Sequence, residues 1–165
     1  MENKVAKKAI ITIDLLKLIP LNQIVGLDVK QFLFKELILK EKEFKQQLKE
    51  FDFGQFENKL VYLHCSNNAI VPMWAYMMIS SYLTKQNIKH LFADTYNLAV
   101  ENFIIEAIDN LDVSPYLGKR IVIKGCGGKI KLSPNCYTKI TQLLVNKTKA
   151  ISYGEACSMV AVSKN

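Results

Sequence analysis

Arg120 is the only arginine in a chain of 165 residues that carries a formal charge of +7. Bidentate reading of phosphates and base edges leans on the planar guanidinium fork, and here the positive charge is lysine interleaved with glutamate, as from Lys40 to Glu50. A solvated, lysine-rich surface is expected, and no nucleic-acid partner. Long apolar runs are missing too, and the start, Met1 to Lys8, is polar and alternates in charge. Neither a membrane span nor a secretory signal is expected, so the chain reads as cytoplasmic. In that reducing compartment structural disulfides are disfavoured, which leaves the four cysteines as buried small residues, metal ligands or reactive thiols. No C-x-x-C pair, internal repeat or low-complexity tract occurs, and the G-x-x-x-x-G-K-[ST] phosphate loop is absent.

What is present is alternation. Beyond about Asn58, strand-like runs (Leu60 to His64, His90 to Ala93, Ile121 to Lys124, Ala150 to Tyr153) alternate with helical ones (Val71 to Thr84, Leu98 to Leu111, Asn135 to Asn146). This β-α-β-α-β-α-β order predicts a single α/β domain with a mainly parallel sheet and crossover helices over 59–165. Pro72, Asp94 or Thr95, and the pair Ser133-Pro134 are the helix start signals. The run Val71 to Leu83, with Met73, Trp74, Tyr76, Met77, Met78, Ile79 and Tyr82 and no charge, reads as a helix buried nearly all round, Trp74 being a packing anchor. Residues 1–58 read as a mostly helical covering segment, in which Ile10 to Ile13 is either a strand or the start of a helix running to Leu18, and Ile24 to Val29 is a candidate strand. Asp28 with Gln31 resembles a capping box before a helical stretch from Lys30 to Phe51, broken near Leu37 to Leu39.

Three cysteines, Cys65, Cys126 and Cys157, each follow a strand-like run. The carboxyl ends of parallel strands border the crevice where open α/β sheets bind ligands, so one fold could gather all three at one edge. Cys126 lies in Lys124-Gly125-Cys126-Gly127-Gly128-Lys129, where glycines permit positive φ and close backbone approach, and two lysines favour thiolate. Lys124, Gly125, Gly127 and Gly128 are the candidate cofactor-binding residues of this loop. Cys65 stands ahead of a helix N-terminus, whose partial charge also favours thiolate. Cys136 falls in line with Ile140, Leu143 and Leu144 and is expected in a core, with a reserve role as ligand. Three thiolates suit zinc or an iron-sulfur cluster, with Asp94, Glu155 or His64 as candidate fourth ligand. His64 joins only if the chain turns, because neighbours in a strand face opposite ways. His90 and Tyr153 receive no role.

The run Cys65-Ser66 through Ala69-Ile70-Val71-Pro72 to Trp74-Ala75-Tyr76-Met77, with Ile123-Lys124-Gly125-Cys126, Gly154-Glu155-Ala156-Cys157-Ser158 and Leu37-Ile38-Leu39-Lys40-Glu41-Lys42, resembles the uncharacterised bacterial family DUF2480 over nearly the whole chain. That resemblance implies cysteine at the positions of Cys65, Cys126 and Cys157 but not at Cys136. It also implies genes lying near iron-sulfur assembly genes, hence a role in cluster biogenesis and partners among assembly proteins. The leading expectation is a metal-binding accessory protein in iron-sulfur cluster assembly or transfer, not a conventional enzyme. Two alternatives stand beside it: a thiol-dependent, sulfurtransferase-like enzyme using Cys126 as nucleophile or persulfide carrier, and a non-catalytic protein-interaction domain.

Overall fold

The computed structural model describes residues 10–124, 128–155 and 158–165. Among them are β1 (Ile10–Asp14), β2 (Ile24–Asp28), α1 (Glu41–Glu50), β3 (Leu60–His64), α2 (Met73–Lys85), β4 (Lys89–Phe92), α3 (Tyr96–Asp109), β5 (Arg120–Lys124), α4 (Pro134–Leu144), β6 (Ala150–Tyr153) and β7 (Val160–Lys164). The class is α/β, and every strand pair is parallel except β6 with β7.

The alternating strands do not share one sheet. β3 and β4 lie in a three-stranded sheet of order β2-β3-β4, whereas β5 and β6 lie in a four-stranded sheet of order β1-β5-β6-β7. The segment before residue 58 is therefore not only a helical cover, because it supplies a strand to each sheet. Both inserted strands are short apolar runs that end in an aspartate whose Oδ1 accepts an N–H two residues on, Asp14 from Leu16 and Asp28 from Lys30, each at 3.1 Å. These Asx turns stop the strands and start one turn of 3-10 helix, in place of the longer helices expected there. Gln31 donates to the Asp28 carbonyl and not back to its N–H, so the capping box is not reciprocal.

The chain forms two compact units, one from Pro20 to Asn102, the other from the segments up to Ile19 and from Phe103 onward. In the first, α1 and α2 close over one face of β2-β3-β4. Phe44 and Leu48 from α1, Ala75, Ile79 and Leu83 from α2, and Leu27, Val61 and Leu63 from the strands make one core. Phe44 sits edge-on to both Phe32, at 6.1 Å, and Trp74, at 5.8 Å. Glu41 and Glu43 at the start of α1 and Lys49 at its end suit the helix dipole. α2 corrects an expectation: Ala75, Ile79 and Leu83 form its buried face, while Met73 and Met77 are 71% and 70% exposed. Its lack of charge reflects an apolar outer surface, not burial on all sides.

In the other unit β5 is central, and Ile121, Val122 and Ile123 are all buried, as expected of a parallel strand covered on both faces. Cys136, Ile140 and Leu144 form the buried stripe of α4, in agreement with the helical-offset argument. Ser133 occupies the N-cap position and Pro134 the first turn. For α3, the cap is Thr95, whose Oγ1 accepts the N–H of Leu98 at 3.2 Å. Among the described residues no helix is long and apolar enough to cross a membrane.

Candidate functional site

Cys126, with Gly125 and Gly127, and Cys157 lie outside the described residues. β5 and β6 are parallel neighbours in register Ile123↔Tyr153. The ladder runs one step further, as the Gly154 N–H donates to the Ile123 carbonyl at 3.1 Å. Beyond it, the Lys124 ammonium meets the Glu155 carboxylate at 3.8 Å, both side chains about half exposed. The two cysteine-bearing segments thus leave the sheet from one point, two residues before Cys126 and two before Cys157.

Glycine has a specific use here. Gly154 has φ +119°, and a Cβ on it would stand 2.8 Å from the Ser158 carbonyl oxygen. The Ser158 N–H donates to the Glu155 carbonyl at 2.9 Å. Gly128, at φ +134°, also needs a conformation that L side chains rarely adopt. Glu155 is engaged with Lys124, so a candidate fourth ligand and a cation meant to favour a thiolate occupy each other. Two cavities adjoin this edge. One, of about 360 Å³, is lined by Asp14, Lys17, Tyr116 and Lys124. The other, of about 700 Å³, has walls that include Ile123, Leu132, Tyr137 and Tyr153, the two tyrosines meeting edge-on at 5.6 Å.

Cys65 belongs to the other unit, directly after β3. Its thiol donates to Asn67 Oδ1 at 3.1 Å, and that oxygen also accepts the Ala69 N–H at 3.1 Å. The first residue of α2 is Met73, eight positions after Cys65. Cys65 packs against the apolar core, whereas His64 turns to the opposite face and stacks on Tyr62 at 5.1 Å. The strand alternation therefore separates the two side chains.

Three strand ends meet at this edge. Asp28, in register with His64, accepts the N–H of Ser66 at 3.2 Å as well as that of Lys30. Burial acts to raise its proton affinity. Hydrogen bonds from the Ser66 side chain and the Lys30 and Ser66 N–H groups, helped by His64, outweigh it and hold the carboxyl below its ordinary 3.8. Tyr76 on α2 shifts the other way, pushed above 10.0 by burial first and then by negative charge on Cys65, Asp94 and Asp28. Sequence reasoning placed Tyr76 in the core and Asp28 in a cap; the pairing of Asp28 with His64 follows from strand register, which joins segments far apart in the sequence. His90 is a structural link: its ring nitrogens contact Ser80 Oγ at 2.6 Å and the Ile88 carbonyl at 2.8 Å.

Among the described residues no group of three or more His, Cys, Asp or Glu side chains is placed to hold a metal ion. Asp94 and His64 stand with Cys65 at the edge of the three-stranded sheet, while Glu155 stands on the four-stranded one. No curated protein and no solved structure matches the chain. The sequence profile of the family described as protein of unknown function (DUF2480) matches residues 1–165, from the first residue to the last, and the chain belongs to that family.

Proposed function

We propose that this is a metal-binding accessory protein, carrying zinc or an iron-sulfur cluster on thiolates at the β5/β6 edge and serving iron-sulfur cluster assembly or transfer. The observation that carries the reading is the Gly154–Ile123 ladder bond with the Lys124–Glu155 pair beyond it, because Cys126 and Cys157 start from that shared point. Adjacent strands are about 4.8 Å apart, close to the roughly 3.5–4 Å between thiolates on one tetrahedral ion. The glycines around both cysteines suit a backbone that wraps an inorganic centre. The accessory role rests on the family resemblance and on chemistry: a site with fewer than four protein ligands can exchange its cargo, whereas a closed four-ligand site chiefly stabilises a fold.

Anaerobic purification followed by metal and acid-labile sulfide analysis tests it. Wild-type protein is expected to hold near-stoichiometric metal, Cys126→Ser and Cys157→Ser to lose at least about tenfold in affinity, and Cys136→Ala to keep its metal. Cys65→Ser assigns the remaining cysteine: lost metal makes it the third ligand, retained metal removes it from the site. A folded, metal-free wild-type protein overturns the reading.

A further inference from the structure

The outer surface of the Pro20 to Asn102 unit carries apolar side chains that its core does not use. Leu37, Ile38, Ile70 and Trp74 line one groove of about 750 Å³. Met73 and Met77, one helical turn apart on α2, extend it, and Ile70 is 91% exposed. These six residues are 37–91% exposed, enough apolar surface to supply most of what one partner buries in a standard two-chain interface, about 800 Å². Contiguous exposed apolar surface of this size on a soluble chain marks an interaction site, and methionine is the side chain best able to adapt to a partner.

The charge around the groove decides what the partner is. A chain of net charge +7 repels its own copy over most of its surface. The segment Phe34 to Glu43 is an exception, since Lys35, Lys40 and Lys42 are matched by Glu36, Glu41 and Glu43. Its ion pairs, Lys30 with Glu36 at 4.0 Å and Lys40 with Glu43 at 3.1 Å, are solvent-exposed and can exchange partners at little cost. A two-fold interface places each patch against itself, so a balanced rim brings lysine to glutamate on both sides of the axis. We infer that the Leu37/Ile70/Met77 groove is the self-association face of this protein, closed in solution by a second copy of the chain in a two-fold dimer.

Sedimentation equilibrium of the full chain tests this. Wild type is expected to dimerise. Ile70→Lys and Met77→Lys, which place charge at the centre of the face, should each weaken the dimer at least tenfold while the far-UV spectrum and melting curve stay those of wild-type monomer. Glu36→Lys, which makes the rim basic, should weaken it more at low salt than at high salt. Wild type that remains monomeric up to its solubility limit overturns the inference and leaves an apolar helix of another protein as the occupant. A dimer untouched by both lysine variants places the interface elsewhere and overturns it equally.

Discussion

Gly154 shows how a single missing Cβ holds the β5/β6 edge together. Its φ of +119° would strain any L residue, and the 2.8 Å approach of the Ser158 carbonyl, a backbone atom, cannot be relieved by a rotamer change. Gly154→Ala should therefore cost on the order of 1–3 kcal/mol and loosen the ladder bond from Gly154 to the Ile123 carbonyl. Urea denaturation reads the first effect. On the metal-binding function proposed above, metal retention reads the second, and a variant as stable and as metal-rich as wild type would remove Gly154 from this role. Residue chemistry of this kind is half legible in sequence. The run Lys124 to Lys129 announces a glycine loop, yet nothing in it says that Lys124 pairs with Glu155, thirty-one positions on. Cys136 was fully legible, since offsets of four and eight from Ile140 and Leu144 fix its face within one helix.

At the scale of elements, most boundaries could be read because each start and stop is written within a few residues. Thr95 caps α3 and Ser133-Pro134 opens α4, whereas the Asx turns by which Asp14 and Asp28 end their strands show only in the structure. Asp28 then does something that sequence does not reveal, tying the end of β2 to the residue after Cys65 through the Ser66 N–H. Because its carboxyl is held below 3.8 when folded, the stabilisation it brings is fully present above the unfolded value and is lost as pH falls through the folded one. Asp28→Asn should melt about 2–4 °C below wild type at pH 7, the scale of one weakened charge-assisted network in a chain of this size. The gap should close towards pH 2 in paired thermal melts. A gap that is constant with pH would mean that shape, not charge, matters at this position. α2 marks where periodicity misleads: an uncharged helix reads as buried, although Met73 and Met77 lie on its solvent face.

At the scale of the whole molecule, the division into two units, each with its own sheet, is expected to govern how stability is distributed. Phe44 is fully buried in the Pro20 to Asn102 core, so Phe44→Ala should cost about 3–5 kcal/mol. In hydrogen exchange the protection lost should be concentrated in β2, β3 and β4, with β1, β5 and β6 keeping most of theirs. Equal loss in both sheets would show that the chain unfolds as one cooperative body. The sequence by itself determined the α/β class, the positions of β3 to β6 and of the helices between them, and the burial of Cys136, because periodicity, caps and turns are local interactions. Only tertiary structure decided that β2 joins β3 while β1 joins β5, and that Cys65 follows a strand of one sheet and Cys126 and Cys157 follow strands of the other. Strand partnership is set by which apolar faces are buried together across tens of residues, and a one-dimensional pattern of strands and helices is satisfied equally well by one sheet or by two.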